Sequence, residues 1–167
     1  MNLTEITVAR TIPAPAEKIF DVWIDPKSPG GPWFGADRAI LNPVVDGLFY
    51  LAVKHEGRRW PHYGRFLQID RPRRIEHTWM SEGTKGAKSL VTVTLEPRGE
   101  QTEVTIRHSG VPDDELGRKH EMGWAWILSA MADVLSSGRA ARRIRRNSGG
   151  LGASDVLRHR AFVDDHP

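Results

Sequence analysis

The spacing of apolar and polar residues predicts a strand followed by a short helix at the beginning of the chain. In LTEITVARTI, residues 3–12, apolar residues recur with a period close to two, which is typical of a strand with one buried face. In the next segment, PAPAEKIFDVWID, Ile19, Phe20 and Trp23 fall on one face of a helix. A proline suits the first turn of this helix, and Pro26 is expected to end it.

Six more strands are predicted from residue 36 onward, and most of their connections are short. Their sequences are RAILNPV, LFYLAVKH, RRWPHYGRFLQID, IEHTWMSE, KSLVTVTLEP and TEVTIRHSG. Short turns between successive strands favour an antiparallel meander. Before these strands, the glycine- and proline-rich segment PKSPGGPWFG is predicted to be a loop or short helix that carries Trp33 and Phe34. Trp60 is likewise predicted to lie in a loop.

The last regular element predicted is a long helix from about Asp113 to Ser137. A proline and three acidic residues stand at its positive end, and Gly138 is expected to cap its other end. A stripe at helical spacing consists of Leu116, His120, Trp124, Ile127, Leu128, Met131 and Leu135. The opposite face is polar, so the stripe is expected to pack against the sheet. Gly123 lies at the edge of the stripe, and we predict a close approach of the backbone there because glycine costs a helix about 1 kcal/mol relative to alanine.

These elements predict an α+β fold in which a curved antiparallel sheet wraps round the long helix. One helix fills only part of the concave face, so we expect an elongated cavity of ~300–1,000 Å³ between the two. Alternation along the strands directs three sets of side chains toward the helix. The sets are Ile75, His77 and Trp79; Val91, Val93 and Leu95; and Val104, Ile106 and His108.

The composition of the chain excludes several kinds of functional site. The chain has 167 residues and no cysteine, which excludes disulfides, thiolate metal sites and cysteine nucleophiles. No apolar run approaches the ~18 residues needed to span a bilayer, and Glu5 interrupts the segment where a signal peptide would need its apolar run. We therefore expect a cytoplasmic protein.

The positive charge of the chain is concentrated at its C-terminal end. Residues 139–167 contain seven arginines and three aspartates, a net charge of +4; the whole chain is +3, so residues 1–138 are −1. We interpret residues 1–138 as one domain and 139–167 as a basic C-terminal extension. Only this extension is a candidate for binding nucleic acid or an anionic surface. The alternatives are a solvated extension and a short docked helix that contains Leu157 and Phe162.

Four stretches of the chain resemble a known family. They are IPAPAEKIFDVWIDP with PWFG, GRFLQIDRPRRIEHTW, VTVTLEP and TIRHSGVPDDELGRKHEMGW, and they cover about residues 4–137. They are similar to the START-like, or SRPBCC, superfamily, and most of all to its group named for the C-terminal domain of the activator of Hsp90 ATPase. The resemblance implies a helix-grip fold. Two positions depart from the family pattern: relatives usually have an apolar residue, often phenylalanine, at His77, and VKHEGRRWPHYG is unusually rich in histidine and tryptophan.

The inward histidines are the first candidates for chemistry. His77, His108 and the helix residue His120 are expected to lie near one cavity. No pair of histidines has the i, i+2 or i, i+4 spacing of common metal sites, and HEMGW lacks the second histidine of a zincin motif. We therefore predict neither a metal nor another cofactor. The simpler interpretation is that these histidines are buried, neutral and hydrogen-bonded.

General acid–base catalysis is the second interpretation of the same residues. His77 or His108, together with Tyr63 or Arg65, could polarise a carbonyl group in the cavity. Cyclases and aromatases of the superfamily are the analogy. Against it, the glutamates of these strands are predicted to face outward, so no paired inward carboxylates are available.

The leading hypothesis is a domain that binds a small, largely apolar molecule between sheet and helix. The residues predicted to line its cavity are Trp33, Phe34, Phe49, Phe66, His77, Trp79, His108, His120, Trp124 and Ile127. One alternative is an enzyme acting on an aromatic or polyketide-like substrate in that cavity. Another is a co-chaperone or other protein-interaction module, and a homodimer is compatible with each hypothesis.

Overall fold

The computed structural model describes the backbone of residues 1–144 and the side chains of residues 1–136 other than His55. Seven strands and two α-helices form this part of the chain. They are β1 (Leu3–Ile12), α1 (Ala16–Ile24), β2 (Arg38–Leu41), β3 (Leu48–His55), β4 (Arg58–Asp70), β5 (Arg74–Ser81), β6 (Ser89–Arg98), β7 (Gln101–Pro112) and α2 (Glu115–Ile144). A single 3₁₀ turn, Glu82–Thr84, lies between β5 and β6.

The seven strands form one antiparallel, curved sheet in the order β1-β7-β6-β5-β4-β3-β2. The predicted meander is therefore confirmed for β2 to β7. The first strand joins at the far side, where Leu3 lies opposite Pro112 and Ile12 lies opposite Thr102. Helix α2 completes the α+β, helix-grip architecture that the sequence predicted.

The core lies between the concave face of the sheet and the helices. Burial alternates along β5, where Ile75, His77 and Trp79 are buried and their neighbours are partly exposed. The inward sets predicted on β6 and β7 are also buried. From α2, Leu128 and Met131 are fully buried among these side chains. The predicted strand faces are thus confirmed.

The start of α2 is fixed by its first turn. The carboxylate of Asp114 accepts a hydrogen bond of 2.8 Å from the backbone N–H of Gly117, so Asp114 caps the helix. A side chain at position 117 would begin 1.9 Å from the carbonyl oxygen of Pro112, which is too close for any residue but glycine. The cap thus sets the angle at which the chain leaves β7.

The predicted end of this helix is wrong. The helix does not stop at Ser137 with Gly138 as its cap; it continues through Gly138 to Ile144. An internal glycine costs only about 1 kcal/mol, and the alanines and arginines that follow it are good helix formers. The proposed domain boundary at 138/139 therefore falls inside a helix. The short docked helix considered for Leu157 and Phe162 lies outside the described residues.

Trp60 lies in strand β4, not in a loop, and its side chain is buried. Strands β3 and β4 are joined by only two residues, Glu56 and Gly57, both with positive φ (49° and 79°), as in a type I′ hairpin turn. Pairing therefore begins immediately after the turn. The guanidinium of Arg58 lies 3.9 Å from the centre of the Trp60 ring and covers it.

Within residues 1–144, no helix combines the length and the apolar character that crossing a membrane requires.

Candidate functional site

A cavity of about 60 Å³ lies between the sheet and helix α2. It is partly open, and its wall is formed by α1, the loop after it, three strands and α2. The lining residues are Trp23, Pro32, Trp33, Leu51, Val53, His62, His77, Trp79, His120, Gly123, Trp124 and Ile127. None of them is an aspartate, glutamate, lysine or arginine; three are histidines and four are tryptophans.

Six of the ten residues predicted to line the cavity do so. They are Trp33, His77, Trp79, His120, Trp124 and Ile127. The other four, Phe34, Phe49, Phe66 and His108, do not belong to the wall.

The four residues outside the wall lie in the core or in the loop after α1. Phe49 and Phe66 are buried behind the wall, where Phe49 packs with its ring centroid 4.9 Å from that of Trp33. Phe34 is half-buried in the loop. His108 is fully buried and makes hydrogen bonds deeper in the core.

The cavity is much smaller than the ~300–1,000 Å³ expected for a typical ligand pocket. Its concave space is occupied by the indoles of Trp23, Trp33, Trp79 and Trp124. The loop that carries Trp33 is held in place because its indole N–H donates to the carbonyl oxygen of Trp23 over 2.5 Å. A polyketide chain or a lipid would not fit into a cavity of this volume.

Gly123 is buried and lines the cavity. The wall formed by α2 therefore carries no side chain at this position. Whether the backbone there also approaches a neighbouring strand, as the sequence suggested, stays a prediction.

His77 makes a hydrogen bond to the backbone at a place where the pairing of β4 and β5 is interrupted. Gly64 and Arg65 of β4 have no paired residue in β5, and the amide of Arg65 donates to the Thr78 hydroxyl instead of its carbonyl. The Thr78 carbonyl oxygen accepts a hydrogen bond from Nδ1 of His77 at 2.9 Å. A phenylalanine at this position could not make this bond. Burial lowers the pKa of His77 to about 4, so its ring is neutral at pH 7.

His108 belongs to a chain of hydrogen bonds whose directions are all defined. The indole N–H of Trp124 donates to Nδ1 of His108 over 3.1 Å. Nε2 of His108 must then carry the proton, and it donates to Oγ of Ser89 at 2.8 Å. The Ser89 hydroxyl donates in turn to the carbonyl oxygen of Trp79 at 2.8 Å. The network thus links two cavity walls, Trp79 and Trp124.

The Ser89–His108 pair resembles a nucleophile and its base, but its chemistry is structural. The Ser89 proton is donated to a backbone carbonyl, and both nitrogens of His108 are occupied. Burial, with a smaller effect from the neighbouring His120 and His77, lowers the pKa of His108 to about 2. A base this weak cannot accept a serine proton at neutral pH. The prediction of a buried, neutral, hydrogen-bonded histidine fits this residue.

His120 is held against the sheet by its own helix and by the turn after β5. Its Nδ1 lies 2.9 Å from the carbonyl oxygen of Gly117. The ring packs edge-on against His108 with centroids 4.9 Å apart. A side chain at Gly83 would begin 2.6 Å from Cε1 of His120, so only glycine fits there. Among the side chains that the structure describes, no group of three His, Asp or Glu residues is arranged to hold a metal ion.

Two of the lining tryptophans have buried indole N–H groups that find no hydrogen-bond partner among the described residues. They belong to Trp23 and Trp79, which are 1% and 7% exposed. An unsatisfied buried donor costs about 1–3 kcal/mol.

Sequence reasoning missed six residues of the wall. They are Trp23, Pro32, Leu51, Val53, His62 and Gly123. A signal for His62 was present, because alternation along β4 places Trp60, His62 and Phe66 on one face. Pro32 carried no such signal, since its position depends on how the loop folds back over α1.

A curved antiparallel sheet that grips a long C-terminal helix, with a cavity between them, defines a START-like domain. Residues 13–136 match the family described as Activator of Hsp90 ATPase homolog 1-like protein, and the chain belongs to this family. The resemblance seen in the sequence is therefore confirmed. No curated protein matches the chain.

Solved structures with the same fold come from proteins with varied descriptions. PFC0360w, an Hsp90 activator from Plasmodium falciparum, is 20% identical with a TM-score of 0.65, covering 79% of this chain and 96% of that one. The Aha1 dimer from Colwellia psychrerythraea is 18% identical with a TM-score of 0.62 and the same two coverages, 79% and 96%. DynU16, from the dynemicin biosynthetic locus, is 19% identical with a TM-score of 0.66, covering 80% of this chain and 48% of that one. At these identities the likeness establishes the fold.

Proposed function

We propose that this chain is a binding domain for a small, largely apolar molecule, which enters the cavity between the sheet and α2. The observation that carries the proposal is the wall itself. It combines four tryptophans with aliphatic side chains and contains no carboxylate, lysine or arginine. Such a wall suits an uncharged ligand with flat apolar faces.

The buried donors of Trp23 and Trp79 support the same proposal. A sealed hydrophobic core would gain nothing from leaving two indole N–H groups without partners among the described residues. A ligand with one accepting atom would satisfy one of them if its entry turned that indole toward the cavity. The small volume limits the ligand to a few heavy atoms within the cavity, with any larger part in its mouth.

Native mass spectrometry of the full chain purified from cells tests this proposal. We expect a bound mass that is lost on mild activation. It should be absent from Gly123→Leu, which fills the cavity, and retained by Ala125→Leu, which adds the same side chain at an exposed position of α2. If no mass is found, and no small aromatic compound shifts the indole N–H resonances of the protein, the proposal fails.

A second candidate function, a protein-interaction module, is favoured by one surface feature. Ile40, Val44, Val45 and Leu48 are each more than half exposed and lie in or beside the β2–β3 connection. Clustered apolar side chains at a surface are typical of partner contacts. The structural likeness to an Hsp90 activator suggests Hsp90 as the first partner to test.

A binding assay with purified Hsp90 distinguishes this second candidate. We expect Val44→Ser combined with Val45→Ser to weaken binding at least tenfold. Leu67→Ser, at an exposed apolar position of β4, is the control and should leave binding unchanged. If the wild-type chain does not bind Hsp90, this candidate is rejected for that partner.

The enzyme alternative has less support in the site. The hydrogen bonds of His77 and His108 go to backbone carbonyls, a serine and an indole, not to a carboxylate that would raise their basicity. The cavity also has too little space for a polyketide-like substrate. Homodimer formation and binding of anionic surfaces by the basic extension are further proposals, which light scattering and truncation can test.

A further inference from the structure

His77 is the most enclosed polar residue of the cavity wall. It is 1% exposed, and four aromatic rings surround its imidazole. Their centroids lie 5.0 Å (Phe49), 5.8 Å (Phe66), 6.1 Å (Trp33) and 6.1 Å (Trp79) from its own. A phenylalanine would fill the same space, so packing alone does not account for a histidine.

The two nitrogens of His77 have different roles. Nδ1 lies 2.9 Å from the carbonyl oxygen of Thr78, which can only accept, so Nδ1 carries the proton. A neutral imidazole carries only one N–H, so Nε2 keeps its lone pair. Because burial lowers the pKa of His77 to about 4, Nε2 stays an acceptor at neutral pH. The wall thus presents one hydrogen-bond acceptor whose tautomer is fixed by the sheet.

The rest of the wall restricts what can donate to this acceptor. With no charged partner in the lining, an ionised ligand would lose its hydration without compensation. The indole faces favour a flat apolar ring. Benzene is taken up by a cavity of about 150 Å³ in another protein. The cavity here has only about 60 Å³, so part of a single ring would have to lie in its mouth. A fused-ring ligand would have to displace a tryptophan.

We infer that the ligand is a neutral, one-ring compound of the phenol class, and that its hydroxyl donates a hydrogen bond to Nε2 of His77. This inference rests on the function proposed above and narrows it. The indole N–H of Trp79 has no partner among the described residues, but its nitrogen is buried, so the inference rests on the hydrogen bond to His77.

Phenol and toluene form a matched pair for the test, because each has seven heavy atoms and they differ in one hydroxyl for one methyl. Both are titrated into the isotope-labelled full chain, and dissociation constants are taken from the shifts of the tryptophan indole N–H resonances. We expect phenol to bind at least tenfold more tightly than toluene. Anisole, which cannot donate, should bind no more tightly than toluene.

The variant His77→Phe keeps the ring volume and removes the acceptor, so it should abolish the preference for phenol. Leu51→Met, another change in the wall, should alter the affinity for both compounds by similar factors and keep the preference. The comparison of ligands on the wild-type chain does not depend on either variant folding. Toluene binding as tightly as phenol would overturn the inference and leave the proposed function standing. If neither compound binds at millimolar concentration, both proposals fail.

Discussion

The indole N–H of Trp124 donates to Nδ1 of His108 over 3.1 Å, and this bond joins α2 to β7 inside the core. It also fixes the proton on Nε2 of His108, and with it the direction of the bonds to Ser89 and to the Trp79 carbonyl. The rings of Trp79 and Trp124 pack with centroids 5.3 Å apart. The network therefore holds two walls of the cavity in one arrangement.

Trp124→Phe should lower the free energy of unfolding by about 1–3 kcal/mol beyond the effect of its smaller ring, because Nδ1 of His108 is left buried without a donor. The double variant with His108→Phe removes both partners. We expect it to cost less than the sum of the single variants, with a coupling of at least ~0.5 kcal/mol in urea denaturation. Additive effects would show that the hydrogen bond contributes no coupling.

Acid should destabilise the fold through its buried histidines. His77 and His108 have pKa values of about 4 and about 2 in the folded chain, compared with the usual 6.5. Between pH 6.5 and about 4 the unfolded state therefore binds more protons than the folded state, and the free energy of unfolding falls as the pH falls. The slope approaches about 1.4 kcal/mol per pH unit for each histidine.

Urea denaturation of wild-type and His77→Phe chains at several pH values between 7.5 and 4.5 measures this dependence. In the variant, the free energy of unfolding should fall less steeply with pH, by about the contribution of one histidine. This difference in slope does not depend on the stability of the variant at pH 7.5. An identical slope in both chains would mean that His77 does not stay neutral on folding.

Gly123→Ala tests why α2 contains a glycine at the cavity. Gly123 lines the cavity, so we expect the added methyl group to meet little resistance there. Alanine should then raise the free energy of unfolding by up to about 1 kcal/mol through helix propensity. The same methyl group should weaken ligand binding. Ala125→Gly, at an exposed position of α2, is the control and should lower stability by a similar amount. A lower thermal midpoint for Gly123→Ala would instead support the close backbone approach predicted from the sequence.

Truncation tests the basic C-terminal extension. Removing residues 139–167 takes away a charge of +4, whereas removing 145–167 takes away only +1, since that part has four arginines and three aspartates. We expect both truncated chains to keep their stability within ~0.5 kcal/mol. The chain that ends at Gly138 should lose salt-sensitive binding to DNA or anionic vesicles, whereas the chain that ends at Ile144 should largely keep it. A clear drop in stability would make the removed segment part of the fold.

The strands and their faces could be predicted because period-two alternation is a direct consequence of pleating. It found His77 and Trp79, and applied to β4 it also indicates His62. The end of α2 could not be predicted in this way, since a glycine caps some helices and merely weakens others. Gly138 belongs to the second group because good helix formers follow it.

The size of the cavity could not be predicted either. It depends on how four indoles share the concave space, which is a matter of side-chain conformation and not of residue spacing. The role of His108 was predictable only as far as its burial. Its partners, Ser89 and Trp124, come from a different strand and from the helix, and their meeting depends on the register of β6 against β7 and the position of α2.

The pairing of β1 with β7 determines the order in which the chain can fold. Strands β2 to β7 can form hairpin by hairpin, because each pairs with its neighbour along the chain. The residues of β1 find their partners about a hundred positions later, at 102–112. Closing so long a loop is slow compared with forming a hairpin. During synthesis on the ribosome, β1 therefore has no partner to pair with until nearly the whole domain has been made.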